Sequence, residues 1–272
     1  MVASSFPPGQ SFSAIYGPVK SWRYGRSLGI DPIGIISTCS FNCVYCQLGN
    51  IQQRTSERQI FVPTEQIICE LQAIPTAGYL DIDVVTFSGS GEPTLALNLG
   101  EMLAIAKKIT NRAIVVLTNS SKLDDPAVRQ ALTTADIVAV KLDAISSNQL
   151  RHINQPTETI DLPQILAGIE QFRREYSGIL AIQTMVLANW TADIQNNYIR
   201  FLERIKPDEI QFNTPSRPRI LTRTLESRGN EHSENRSSSY QYFKCITADK
   251  LTALAEKINN LTKIPVRYAS RT

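Results

Sequence analysis

The 272-residue chain is 42% hydrophobic and 19% charged, with a formal net charge of +3, a composition that supports a sizeable core and excludes wholesale disorder or a fibrous class. No stretch approaches the roughly 20 apolar residues of a membrane span, and the opening Met-Val-Ala-Ser-Ser-Phe-Pro-Pro lacks a basic segment leading into an apolar one, so a cytoplasmic location with no membrane partner is expected. Cys39, Cys43 and Cys46 are clustered while Cys69 and Cys245 lie far off, which is no disulfide framework and suits a reducing compartment.

Residues 1–32 are punctuated by Tyr-Gly, Gly-Pro and Leu-Gly and read as an N-terminal cap. Trp22, Arg23 and Arg26 fit a structural role in that cap, with a ligand-facing role as the alternative. Ile33–Ile36 reads as the first buried strand. A helix follows over 64–73, with Ile67, Ile68 and Leu71 on one face and Thr64 as its cap. Strands over 83–87, 113–117, 137–142, 179–186 and 209–212 then alternate with helices over 97–109, 125–132, 162–176 and 194–205. Six short apolar runs alternating with helices predict an α/β fold, a partial (β/α)6 TIM-like barrel over 33–215. In such folds ligand-binding residues gather at strand ends. Polar clusters do follow the apolar runs: the cysteines, Ser88-Gly-Ser-Gly-Glu-Pro93, Thr118-Asn-Ser-Ser121, Asp143 and Asn213-Thr214.

Residues 216–272 form a third region, in which 219–239 is polar and expected to be a loop or lid, followed by a helix over 247–259 and a terminal strand over 265–268. From Thr214 onward there are 11 Lys and Arg against 5 Asp and Glu, net +6, so the preceding residues carry −3. A basic quarter of this kind fits an anionic partner such as RNA, or a solvated surface.

The spacing C-x3-C-x2-C over Cys39, Cys43 and Cys46 asks for a metal, because neighbouring thiolates repel one another and a bound cation or cluster relieves the repulsion. A closed structural zinc site needs four protein ligands, and Cys69, Cys245, His152 and His232 offer no second closely spaced pair. Three ligands fit an open site, such as a 4Fe-4S cluster with one iron left for a non-protein ligand. A non-catalytic iron-sulfur or zinc binding protein is the alternative. Elsewhere, Gly89 and Gly91 flank Ser90 in a loop whose backbone can approach a ligand closely, and Glu92 adds negative charge there. Asn119 and Ser120 suit hydrogen bonds to ribose hydroxyls, or an Asx turn or helix cap. Lys141 and Asp143 share a strand face, as a ligand-binding pair or as an ion pair that fixes the strand. Gln183 shares a face with Met185 and suits an adenine edge. Neither histidine lies in a nucleophile pattern, so a Ser/Cys-His hydrolase is unsupported.

With Tyr45 as the aromatic, C-x3-C-x-aromatic-C resembles the signature of the radical S-adenosylmethionine (radical SAM) enzymes. The resemblance implies a 4Fe-4S cluster on Cys39, Cys43 and Cys46, with S-adenosyl-L-methionine chelating the free iron. One electron would then cleave the sulfonium to a 5'-deoxyadenosyl radical that abstracts hydrogen from a substrate. It further implies that the 88–93 loop holds the methionine amino group, that Lys141 meets the carboxylate, and that an electron donor such as flavodoxin or ferredoxin is a partner. Tyr16-Gly-Pro-Val, Ser27-Leu-Gly-Ile-Asp31, the cysteine loop to Gly49, Phe87 to Leu95, Leu117-Thr-Asn-Ser120 and Gln211-Phe-Asn-Thr-Pro215 together resemble a group of radical SAM proteins placed with the tRNA wyosine synthases. The chain departs from those synthases in having no cysteine before Cys39 for a second cluster, and Lys20 as the sole preceding lysine. A tRNA nucleoside is the substrate class this implies and tRNA the partner, with the five arginines between 217 and 236 as phosphate contacts of the lid.

Overall fold

A computed structural model describes residues 12–215, 218–221, 240–243 and 245–269. The turn-rich start is extended: β1 (Ile15–Ser21) and β2 (Gly25–Ile30) form an antiparallel hairpin. Its glycines serve close packing. A Cβ on Gly29 would overlap the Tyr16 ring, which lies across this position and sends its hydroxyl to Ser88 Oγ at 2.9 Å.

The strand expected over Ile33–Ile36 is absent. Gly34 sits at φ +96°, and Asp31 Oδ1 accepts the amides of Ile33 (3.0 Å) and Gly34 (3.2 Å), so the chain turns where apolar content alone reads as a strand. The strand that leads towards the cysteines is β2, and residues 15–30 are part of the sheet rather than a separate cap.

Short strands β3 (Thr38–Cys39) and β4 (Gln53–Arg54) bracket the cysteine loop. Next come α1 (Thr64–Gln72), α2 (Thr76–Leu80), β5 (Val84–Phe87), α3 (Leu99–Thr110), β6 (Ala113–Thr118), α4 (Pro126–Leu132) and β7 (Ile137–Lys141). They are followed by α5 (Ser147–Gln149), α6 (Leu162–Glu175), β8 (Ile179–Met185), α7 (Ala192–Ile205) and β9 (Glu209–Asn213). Beyond them β10 (Arg219–Ile220) pairs antiparallel with β11 (Tyr240–Gln241), and α8 (Ala248–Thr262) leads into β12 (Val266–Tyr268). The other expected strands and helices lie within three residues of these limits.

The main sheet has the order β1-β2-β5-β6-β7-β8-β9-β12, parallel from β2 onward, and curls into a partial barrel. Parallel strands covered on both faces read as continuous apolar runs, and all residues of β5 are buried. The longer helices bury one stripe each. In α7 that stripe is Tyr198, Ile199, Phe201, Leu202 and Ile205, at the spacing of a single helical face. Asp125, Asp161 and Thr191 start α4, α6 and α7 by accepting amides of the first turn. Thr64 does not cap α1 as expected. Pro63 precedes the helix, and Thr64 Oγ1 donates instead to Glu101 Oε2 at 2.8 Å.

Glu70 on α1 ties down the start of β1: Oε2 accepts Ser13 Oγ (2.7 Å) and Ile15 N (2.9 Å), and Oε1 accepts Ala14 N (3.2 Å). Burial pushes this carboxyl up, but the hydrogen bonds together outweigh burial and leave it below the usual range. A depressed carboxyl stabilises the fold above its unfolded pKa, and that contribution is lost as pH falls through the folded value. The stability gap between wild type and Glu70→Gln, read by urea unfolding, is therefore expected to be widest near neutral pH and to shrink below about pH 4. A gap that does not change with pH would reject this role for Glu70.

Candidate active site

The site is assembled from the bridge between the cysteine loop and the 88–92 loop. Thr38 N donates to Ser90 O and Glu92 N donates to Thr38 O, both at 3.1 Å. This bridge runs directly over Gly91, where a Cβ would overlap the Thr38 carbonyl oxygen and stand 2.6 Å from its carbon. Gly89 sits at φ +136° with the Asp31 carboxylate against it. The two glycines have different tasks: Gly91 permits a close approach, and Gly89 supplies a left-handed turn.

Glu92 joins this loop to the end of β6. Its Oε1 accepts Thr94 N (3.1 Å), Thr94 Oγ1 (2.7 Å) and Thr118 Oγ1 (2.6 Å), and Oε2 accepts Asn119 N at 2.6 Å. Burial pushes its pKa up while these donors work against that rise. Asn119 makes an Asx turn through Oδ1 to Ser121 N (3.0 Å), and its Nδ2 donates to Ser40 Oγ (2.8 Å) and Cys39 Sγ (3.4 Å).

Asp143 is a hub with a wholly buried side chain. Oδ2 accepts the Tyr45 hydroxyl and Asn154 Nδ2 (2.7 Å) and lies 3.9 Å from Lys141 Nζ, while Oδ1 accepts Met185 N at 2.8 Å. Lys141 Nζ is 5.3 Å from the centre of the Tyr45 ring. Asn154 also donates to Cys43 Sγ at 3.4 Å, and the backbone around it receives the amides of Asn42 and Val44. It stands on a π-helical turn, Leu150–Asn154, which no periodicity in the sequence announces.

A cavity of about 450 Å³ opens where these elements end. All three clustered cysteines line it with Tyr45, as do Gly89, Gly91, Glu92, Asn119, Lys141 and Gln183. Three residues expected to face a ligand do not line it. Ser90 is buried behind the loop. Ser120, at φ +73°, turns its hydroxyl to Lys141 O at 2.9 Å. Asp143 spends its oxygens on the hub. Conversely Lys20, Trp22, Arg23 and Tyr24, read as part of a cap, form the opposite wall at the hairpin tip.

Burial pushes the Cys39 thiol well up, with Glu92 and the other two cysteines adding to the rise, and lifts Cys43 to about 12 with Lys141 opposing. Among the described residues no three His, Cys, Asp or Glu side chains stand close enough to hold a single ion. A cubane cluster takes its thiolates at separate corners. A loop of three thiols, Cys43 buried and Cys39 and Cys46 half-buried, beside a backbone cradle that a Cβ at Gly91 would fill, fits such a group.

Cys69 is exposed on α1, and Cys245 donates to Pro215 O at 2.8 Å, so both are apart from the cluster loop. Arg219, expected to reach phosphate, is buried and donates Nη2 to Asn50 Oδ1 at 2.6 Å. It braces the exit of the cysteine loop, where a Cβ on Gly49 would stand 2.7 Å from Ile220 O. Arg217, Arg223, Arg228 and Arg236 lie outside the described residues.

The radical SAM superfamily profile matches residues 33–202. The chain belongs to the radical SAM superfamily. Its relatives include the UPF0026 protein of Synechocystis, 51% identical over 261 residues that cover 95% of this chain and 97% of that one. A UPF0026 protein of Methanocaldococcus jannaschii is 35% identical over 206 residues, 75% of this chain and 64% of that one. The fold is similar to Streptococcus suis SuiB solved bound to S-adenosylmethionine, with a TM-score of 0.58 and 14% identity over 86% of this chain and 48% of that one. The chain thus spans about half the length of that solved structure. As a radical SAM protein it is an enzyme. The hairpin tip precedes the matched radical SAM region, so that wall of the cavity is built from sequence outside it.

Proposed function

We propose that this radical SAM enzyme holds a 4Fe-4S cluster on Cys39, Cys43 and Cys46 and S-adenosyl-L-methionine beside it, takes its electron from flavodoxin or ferredoxin, and acts on a tRNA nucleoside. When bound, these cofactors supply one-electron cleavage of a sulfonium bond and hydrogen abstraction from the substrate. The observation that carries the reading is that the three thiols, the Gly89–Gly91 cradle and Lys141 line one cavity. Lys141 offers a cation to a carboxylate, the loop backbone is open to an amino group, and Gln183 presents an amide to an adenine edge. Asn119 and Asn154 donate to Cys39 and Cys43 and orient the thiolates. The tRNA substrate rests on the resemblance to the proteins placed with wyosine synthases and on the basic C-terminal quarter, 11 cations against 5 acids.

Anaerobic reconstitution is expected to load wild type, Cys69→Ala and Cys245→Ala with a cluster and to fail with Cys39→Ala, Cys43→Ala and Cys46→Ala. Under a strong reductant the loaded protein should turn S-adenosylmethionine over to 5'-deoxyadenosine, with none above background from Cys46→Ala. An unaltered cluster in Cys43→Ala would sink the assignment. The substrate is tested separately by the nucleoside composition of tRNA from a strain lacking the protein, where an unchanged set of nucleosides removes tRNA.

A further inference from the structure

The wall opposite the cysteines is built with as much care as the cluster side. Ser21 Oγ accepts Arg23 N at 3.2 Å, closing the tip of the β1–β2 hairpin on itself. Arg267 on β12 donates Nη2 to Arg23 O (2.9 Å) and Trp22 O (3.4 Å) while its Nη1 pairs with Glu209 at 3.2 Å. Gln211 on β9 donates Nε2 to the Tyr24 hydroxyl at 2.8 Å. The tip is thus held by two neighbouring strands before any ligand arrives, which lowers the ordering cost of binding.

Its chemistry is cationic and aromatic. Lys20, Trp22, Arg23 and Tyr24 line the cavity; Arg23 Cζ lies 5.3 Å from the centre of the Trp22 ring, and Trp22 remains 38% exposed. Among the described residues Glu92 is the one acidic side chain lining the cavity, and its oxygens are taken by Thr94, Thr118 and Asn119. A further group points to a ligand. Thr214, at the end of β9, is 7% exposed and lines the same cavity, and its buried Oγ1 has no hydrogen-bond partner among the described residues. A buried hydroxyl without a partner is costly unless something binds it.

We propose that the hairpin tip is the substrate seat and that it takes a nucleotide, with the phosphate on Lys20 and Arg23, the base against Trp22 and a polar group on Thr214 Oγ1. This rests on the proposed function in placing the reacting centre at the cysteine side of the same cavity. Cations interleaved with aromatic rings are what a single-stranded nucleotide needs, since the phosphate takes the charge and the base takes the ring face. A neutral ligand would bring no counter-charge to Lys20.

The test uses the reconstituted full chain with S-adenosylmethionine and a fluorescein-labelled RNA trinucleotide, with guanosine 5'-monophosphate, guanosine and succinate as competitors. Wild type is expected to bind the trinucleotide and to release it to guanosine 5'-monophosphate at lower concentration than to guanosine or succinate. Lys20→Ala/Arg23→Ala should bind at least tenfold more weakly, and its slope of log affinity against log salt should fall by roughly 0.7 per lost contact. Lys20→Arg should keep the wild-type slope. Thr214→Val should weaken binding several-fold at an unchanged slope, since the hydroxyl carries no charge. Cluster absorbance and circular dichroism report that each variant is folded, and a misfolded double variant leaves Thr214→Val to decide. Equal trinucleotide affinity in wild type and the double variant overturns the seat, and so does an unchanged affinity in Thr214→Val. Preference for guanosine or succinate overturns the nucleotide. A protein that binds the trinucleotide as described but yields no 5'-deoxyadenosine refutes the radical chemistry alone, whereas 5'-deoxyadenosine formation with RNA binding indifferent to the variants refutes the seat alone.

Discussion

Glu92→Ala is expected to lower stability by about 3–5 kcal/mol and to leave the protein unable to load a cluster. The carboxylate is 2% exposed and accepts two hydroxyls and two backbone amides, drawn from Thr94 in the turn after its own loop and from Thr118 and Asn119 at the end of β6. Removing it leaves these buried donors without their acceptor, so the loss exceeds that of a typical surface hydrogen bond. Because Asn119 N is one of the donors and Asn119 Nδ2 reaches Cys39, the damage passes to the first cysteine. Urea unfolding of wild type and variant before reconstitution measures the stability term, and iron content afterwards measures the loading. A variant with wild-type stability would show that the carboxylate is dispensable as a clasp.

Gly91→Ala should damage the site by a different route. Nothing flexible stands in the way of the added methyl: the obstacle is the Thr38 carbonyl, whose oxygen already accepts Glu92 N and whose carbon would be 2.6 Å from the new Cβ. Backbone cannot swing aside as a side chain can, so relief means separating β3 from the 88–92 loop and breaking both hydrogen bonds of the bridge. Overpacking of this kind costs about 1–3 kcal/mol and more where the neighbours are fixed. Ser90→Ala, one residue away, is the control, because Ser90 lies behind the cavity. The expected outcome is cluster loading close to wild type for Ser90→Ala and near zero for Gly91→Ala. Comparable loading of the two proteins would remove the bridge from the account of the site.

Much of this architecture was legible in the sequence, for reasons that differ from element to element. Strands β5 to β8 are largely apolar runs, as strands covered on both faces should be, β9 keeps only Ile210 and Phe212 as apolar positions, and the cysteines are legible because three thiols in one loop have few other uses. The hairpin was not, because glycine and proline announce turns, and the task of Gly29, to let the Tyr16 ring lie flat over the backbone, is visible only once the two strands are side by side. Without the hairpin, Ile33–Ile36 has the apolar content of a first strand, and Lys20 to Tyr24 have the turn-rich surroundings of a cap. The common face of Lys141 and Asp143 follows from strand geometry, but Asp143 serves as a hub because its partners Tyr45, Asn154 and Met185 come from three other segments. Arg219 stands in a basic polar stretch that suggests phosphate contacts, and its burial against Asn50 depends on a contact 169 positions away.

The clasp between Arg267 and the hairpin tip joins residues 244 and 245 positions apart. During translation the cysteine loop, the 88–92 loop, Asn119, Asp143 and Asn154 all leave the ribosome well before β9 and β12 do. The cysteines can reach their cradle on a nascent chain whose opposite wall has no strand to hold it. Only when β12 docks do Trp22 and Arg23 gain this anchor, so the wall at the hairpin tip is fixed after the cysteine loop has found its cradle. A chain cut short before β12 would keep the cysteine cradle and lose the hold on the hairpin tip.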